Sequence, residues 1–483
     1  MYDSRMFLRK ISLLLILFCW PTISRGEVRL PRILGSHMVL QRNTDVTIWG
    51  WAEANEQITT TPDWGEVRST KADGSGLWKT KLKTLSDSKP HSLSICGTNE
   101  IRLDDIRFGE VWLASGQSNM EMPLAAVSNA YTGIRNAKQE IAAANHPDIR
   151  LFQVGNFSSY KPLDDVRAGN TLYGVPPAKC KWQKCSPKTV PHFSSTAYFF
   201  ARELHRKLDV PIAIIDASWG GTKAEVWTPR AGLKSLGYDE LLQQASRDPQ
   251  DQDKKVPTRL YNGMIHPLKD MTIRGVIWYQ GESNASTANR YSDLFKTMVE
   301  QWRIAWGSEL PFYFAQISPY RYKDADSSFL REAQLKSMSI PKTGMAVTMD
   351  IGNVRDIHPK NKQEVGRRLA LWALAKDYQQ EVDCSGPVFR SSTVEENSIR
   401  VEFDYAENGL ATRDGKPPSH FELAGKDRKF FPATASIEKT AVVVRSTRVA
   451  KPIAVRYAFT SQATPNLTDN SGLPASSFRS DSW

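Results

Sequence analysis

An α/β architecture, with a parallel sheet in the middle of the chain and β-rich segments on either side, is the fold class this sequence predicts. Three observations carry it. Over the middle, short apolar runs suited to buried parallel strands alternate with longer helical patterns. Before about residue 105 and after about residue 385 the texture changes to short strands separated by turn residues. The 483 residues are 40% hydrophobic and 24% charged, the balance of globular domains rather than of disordered, collagen-like or coiled-coil chains. At about 100–200 residues per domain, such a length holds two to four domains, large enough to need no metal or disulfide staple for folding.

The chain begins with an export-signal pattern over residues 1–26. Arg9 and Lys10 precede the apolar run Ile11–Trp20, which is followed by Pro21 and small or polar residues to Gly26. The run is short for a bilayer span, so a cleaved signal peptide and a periplasmic or secreted mature chain are expected. Cys19 lies within it, but the bulky Phe18 before it does not fit a lipoprotein signal. No later apolar stretch could span a membrane. Of the net charge of +11, Arg5, Arg9, Lys10 and Arg25 against Asp3 place +3 in this segment. The rest is dispersed without a Lys/Arg run, which argues against nucleic acid as a partner.

Residues 27–105 form the first β-rich segment, with strands expected at Val46–Trp51, Gly76–Thr80 and Ser92–Cys96. Residues 106–384 are the α/β unit. Its expected strands are Val111–Ala114, Pro211–Ile215, Gly275–Tyr279, Phe312–Ile317 and Met345–Met349, and its helices include Ser194–Leu208, Tyr291–Trp306 and Lys362–Asp377. Residues 385–483 form the second β-rich segment, with strands at Ile399–Tyr405, Ala441–Arg445 and Ile453–Phe459. Cys180 and Cys185 are either a small-loop disulfide of an oxidising compartment or two buried thiols.

Four of the five α/β strands run straight into small polar clusters: Ser115 to Met120, Asp216 to Thr222, Gln280 to Asn284, and Asp350 followed by Asp356-Ile357-His358-Pro359. Ligands of open parallel sheets sit beyond the carboxyl ends of the strands, so these clusters are expected to meet in one pocket. Their residue types suit acyl transfer. A serine hydroxyl needs a neighbouring base, and Ser118 with His358 supplies the pair. A carboxylate to orient the imidazole comes nearest in sequence from Asp356. Oxyanion donors are available from the backbone N–H of Ser118, from Gly220 or Gly221, and from the Gln280 amide. Singly, each has a bland reading: a serine helix cap, a surface histidine, a tight Gly-Gly turn, a polar loop.

The stretches VWLASGQSNMEMPL, ASWGGTKAEVWTP, LYNGMIHPL, VIWYQGESNA and DIHPKNKQEVGRRLA together resemble the sialate O-acetylesterase group of the SGNH (GDSL-type) hydrolase superfamily. MVLQRNTDVTIWGWA near the start and NLTDNSGLPASSFRSD near the end resemble it too. The resemblance implies a three-layer α/β SGNH domain with no metal or organic cofactor. It also implies an acetylated glycan, foremost O-acetylated sialic acid, as substrate. It assigns Ser118 as nucleophile, His358 as base and a glycine of the 220–221 pair to the oxyanion. Two departures stand out. Where the superfamily has Gly-x-Asn, this chain has Gln280-Gly281-Glu282. Where the superfamily has an Asp three residues before the His, Asp356 is two before and position 355 is Arg. The orienting group is therefore Asp356, Asp350 or a backbone carbonyl. Gln117, Trp219 and Asn262 are candidate substrate contacts, with His266 near Asn262. Arg230, Arg321 and Arg355 are candidates for a substrate carboxylate. Acetylated polysaccharides such as acetylxylan are the alternative substrates, and an inactive glycan-binding protein is the alternative of another class.

Overall fold

The computed structural model describes residues 27–169, 179–246, 248 and 253–483. Residues 1–26, expected to be a signal peptide, lie outside them.

Seven strands form the central sheet: β1 (Glu100–Gly116), β2 (His146–Gln153), β3 (Gln183–Cys185), β4 (Ile212–Ser218), β5 (Gly275–Tyr279), β6 (Phe312–Ala315) and β7 (Thr343–Ala346). Their order is β7-β6-β5-β1-β4-β2-β3, with every neighbouring pair parallel except β2 and β3. The chain passes from β1 to one side through β2 to β4, then crosses to the other side with β5. The sheet thus reverses direction beside β1, where a ligand crevice is expected.

Strand residues alternate between two cores. Val111, Leu113, Val276, Trp278 and Phe312 pack on one face with helix α3 (Tyr291–Trp306). Trp112, Ala114, Ile277, Tyr279 and Tyr313 pack on the other with α2 (Ser195–Leu208) and α5 (Lys362–Lys376). A strand buried on both faces needs the unbroken apolar runs that made these strands readable. The helices begin and end on local signals. Ser194 caps α2 by accepting from the Ala197 N–H, Asn361 caps α5 by accepting from the Glu364 N–H, and α3 stops at Gly307 in a left-handed conformation.

β1 is longer than its apolar run predicts. Its first half pairs antiparallel with His91–Cys96 and its middle pairs parallel with Val39–Gln41, so one continuous strand ties the N-terminal β segment to the central sheet. Asp105 sits at the change of role, with φ of 54°. It joins His37 (2.7 Å), fully buried Arg150 of β2 (2.9 Å), Lys184 of β3 (2.9 Å) and Arg107 (3.2 Å). Against the cost of burial, hydrogen bonds from Arg150, Lys184 and His37 and the Arg150 charge hold its carboxyl far below the usual range. The C-terminal segment is a seven-stranded antiparallel sheet that includes Ser398–Asp404, Ala441–Arg445 and Ala454–Tyr457. It braces the segment that follows β6. Fully buried Arg331 of α4 (Ser328–Lys336) donates to the Ser477 hydroxyl and the Thr460 carbonyl, Gln316 donates to Ser476, and Arg479 pairs with Glu332. No helix among the described residues is long and apolar enough to cross a membrane.

Cys180 and Cys185 are free and buried. Their thiols donate to different carbonyls, Arg167 and Ala144, in different cores. Of the two readings of this pair, the structure has the buried thiols.

Candidate active site

Ser118 opens α1 (Ser118–Glu121), directly beyond β1. A four-residue helix leaves most of its carbonyls without intrahelical partners. Here they accept from the hydroxyls that begin α2: Thr196 to Asn119, Ser194 to Met120, and Ser195 to Met122, the residue that ends the helix. The serine turn is therefore clamped to the body of the protein by side chains 73 to 77 residues away.

Backbone bonds join the strand ends. The Gln117 N–H donates to the Tyr279 carbonyl at the end of β5, and the Trp219 N–H donates to Gly116 at the end of β1. Gly220 lies against Ser118 so closely that a Cβ on it would stand 3.2 Å from the Ser118 Cβ and 2.8 Å from both the Tyr131 hydroxyl and Glu121 Oε2. Glu121, three residues after Ser118, collects three donors: the Gly220 N–H (2.7 Å), the Tyr131 hydroxyl (2.7 Å) and the Asn156 amide (3.0 Å). Burial raises its pKa against these bonds. The Gly220 carbonyl accepts from Lys254 Nζ at 2.5 Å. Gly221, next in the turn, is exposed and has φ of 72°, a conformation glycine adopts without strain.

The His358 loop reaches the same place. Tyr131, on Glu121 at one end, meets the His358 ring edge-on at 5.4 Å between centroids. Asn119, beside Ser118, donates from one amide nitrogen to the Ile357 carbonyl (3.0 Å) and to Glu282 Oε1 (2.5 Å), while its oxygen accepts from Lys362 Nζ (2.5 Å). Lys362 is fully buried at the start of α5, and burial pulls its pKa down to about 7. Burial and the nearby Lys362 charge lower the His358 pKa to about 4, so the ring is neutral at neutral pH. The backbone of Ala130 and the charge of Asp356 work against this shift. Asp356 stands at 4.0 Å from His358 Nδ1, and the same oxygen accepts the His358 backbone N–H at 2.9 Å.

Among the expected site residues, Gly220 packs against Ser118, the His358 ring meets the Tyr131 that touches both Glu121 and the Gly220 turn, and Trp219 stands with the Lys254 ammonium 5.8 Å from its ring centroid. The Gln280 amide already has partners within the protein. Its side chain is fully buried, and Nε2 is shared among Asn284 (2.7 Å), the Thr222 carbonyl (3.1 Å) and Gln117 (3.2 Å). Gln117 in turn accepts from Gln280 and the Ser283 N–H, so these two glutamines brace the pocket floor. The Asn262 amide holds the carbonyls of Ser159 and Tyr160, and His266 holds Leu163, so both shape a loop rather than present free groups. Asp350 is bound at both oxygens by Arg368 at 2.7 Å, which removes it as the orienting group. Arg230 bonds to Ser246, and Arg321 bonds to Gln462 of the C-terminal segment. Sequence reasoning missed Glu121, Tyr131, Lys254 and Lys362. Only Glu121 carried a signal, its place three residues after the serine at the head of a helix.

An α/β fold with a serine turn, a paired-glycine turn and a neutral imidazole gathered at the carboxyl end of a parallel sheet is that of an esterase-type hydrolase. Residues 108–375 match the family model described as carbohydrate esterase, sialic acid-specific acetylesterase. The chain belongs to that family. A sialate O-acetylesterase of Pongo abelii is 30% identical, covering 97% of this chain and 95% of that one, and one of Mus musculus is 29% identical over 89% of each. The crystal structure of a carbohydrate acetylesterase from Xanthomonas citri has 37% identity and a TM-score of 0.84, covering 95% of this chain and all of that one.

Proposed function

We propose that this protein is a sialate O-acetylesterase that removes O-acetyl groups from sialic acids through an acetyl-Ser118 intermediate. The observation that carries the reading is the convergence of the Ser118, Gly220–Gly221 and His358 turns within a family of sialic acid-specific acetylesterases. His358 takes the Ser118 Oγ proton as Oγ attacks the acetyl carbonyl. Negative charge on the carbonyl oxygen is met by the backbone N–H groups of Ser118 and Gly221. The acyl C–O bond to the sugar then breaks, and His358 returns the proton to the departing sugar oxygen. Water, deprotonated by His358, attacks the acetyl-serine and releases acetate. Asp356 supports the loop that carries the imidazole, so the pair works chiefly as a Ser–His dyad. Trp219 borders the pocket as a sugar-stacking face.

The same reading takes residues 106–384 as a three-layer SGNH domain braced by 27–105 and 385–483. Residues 1–26 are read as a signal peptide that sends the enzyme to the periplasm or outside the cell. The higher identity to the Xanthomonas citri carbohydrate acetylesterase favours a second substrate reading, acetyl esters of other polysaccharides. Acetate released from O-acetylated sialic acid on mucin is compared with that from acetylxylan. Release from the former, lost in Ser118→Ala, is the expected result. Release from acetylxylan alone overturns the sialate reading. Glycan binding without acetate from any ester makes the protein a binding module.

A further inference from the structure

We infer that Lys254 is a positioning residue of the acyl transfer, latching the Gly220–Gly221 peptide so that the Gly221 N–H is the one presented to the oxyanion. The inference rests on the reading of Ser118 as nucleophile.

Two bonds fix Gly220 from opposite sides. Its N–H is held by Glu121 Oε2 at 2.7 Å, so that donor is already engaged. Its carbonyl is held by Lys254 Nζ at 2.5 Å. A trans peptide is planar, with its C=O and the following N–H pointing in opposite directions. Anchoring the Gly220 carbonyl on Lys254 therefore aims the Gly221 N–H away from the ammonium. Among the described residues that N–H donates to no protein group. The latch is needed because both flanking residues are glycine. At φ of 72°, Gly221 tolerates a rotated peptide at little cost. A rotated peptide would turn the Gly220 carbonyl, rather than an N–H, toward the pocket, and a carbonyl dipole repels a developing oxyanion. Lys254 is built in rather than loose. It is half-buried, its ammonium stands 5.8 Å from the Trp219 ring centroid, and Glu121 supplies the nearby opposite charge.

A competing role is a direct one, binding the carboxylate of an acidic sugar. The test separates the two with a small neutral ester. Lys254→Met, Lys254→Gln and Lys254→Arg are made in the full chain and assayed on p-nitrophenyl acetate and on an O-acetylated sialic acid. The serine is also titrated with a fluorophosphonate, whose adduct places oxygen in the oxyanion position. Expected in the Met and Gln variants is a fall in kcat on the neutral ester of about 10- to 100-fold, somewhat less than removal of an oxyanion donor itself. KM stays within about twofold, fluorophosphonate labelling slows in parallel, the unfolding temperature holds, and Arg restores most of the rate. The inference is overturned if kcat on the neutral ester is unchanged, or if the loss is confined to KM for the acidic sugar. Full activity in Ser118→Ala would instead overturn the underlying assignment of the nucleophile.

Discussion

The two ends of the parallel sheet treat buried charge differently. At the amino ends of the strands, Glu110 is buried and meets cations directly, Arg42 at 2.7 Å and Arg274 at 3.3 Å. A cavity of about 900 Å³ opens there beside Trp372, and no residue of the serine, glycine or histidine turns lines it. Asp377 is the exception at this end, raised to about 6 by burial with the Tyr313 hydroxyl as its partner. At the carboxyl ends Asp350 and Arg368 still pair directly, but the buried charges around Ser118 are kept apart by neutral groups. Glu121 is held by a hydroxyl, an amide and a backbone N–H, and Asn119 stands between Glu282 and Lys362. Direct pairing satisfies charge and stabilises its charged form. Separation by neutral donors leaves the acids raised and the bases lowered, the condition useful for moving protons near neutral pH. The size of a cavity is thus a poorer guide to chemistry here than the way its charges are partnered.

The largest expected effect breaks the comparison outright. His358→Ala should lower acetate release by at least ~10³-fold, as loss of an essential base does, whereas Arg42→Ala at the amino end should leave kcat within about twofold. Asp356→Asn sharpens it further. An orienting triad carboxylate is worth ~10⁴-fold, but with Asp356 engaged by the His358 backbone N–H the loss should be about tenfold or less. A loss near 10⁴ would make Asp356 a full triad member.

Next in size is stability at the strand junction. Asp105→Ala leaves Arg150 buried without its carboxylate and should cost about 3 kcal/mol in urea unfolding.

The pH profile tests the carboxyl end. Neutral His358 is the form that accepts a proton, and its pKa is lowered to about 4. The acid limb of kcat/KM should therefore lie near pH 4 rather than near an ordinary histidine value. Lys362→Met removes a charge that lowers the His358 pKa, so the limb should move upward.

The smallest effect concerns Asp216, whose pKa burial raises to about 8, with Glu121 adding to the rise and only the Ser218 hydroxyl opposing it. The folded state then holds a proton that the unfolded state loses above its ordinary pKa of 3.8. Stability from this site is accordingly complete at low pH and declines as pH rises toward 8. Asp216→Asn should raise the melting temperature by a few degrees at pH 8 and little at pH 4.

Much of the fold was legible. Strand β5 and helix α3 match their expected bounds, and α2 and α5 lie within a residue of theirs. Strand β2 was missed because HPDIRLFQ mixes polar residues into its apolar pattern, including Arg150, which serves Asp105 rather than the core. The first half of β1 was missed because its apolar signal begins only where it enters the doubly covered sheet.

What the sequence determined alone was the set of reactive types and their placement. Unbroken apolar runs specify strands buried on both faces, and the polar clusters at their ends specify where chemistry gathers. What the tertiary structure alone decided was which donor goes to which acceptor. Glu121 finds Gly220 99 residues away, Lys254 finds it from 34, and Asn119 meets Lys362 across 243. Periodicity records which side of an element faces the core. Partners chosen by burial and hydrogen-bond geometry between remote segments leave no repeat along the chain, which is why the sequence did not show that the Gln280 amide bonds to Gln117, Thr222 and Asn284.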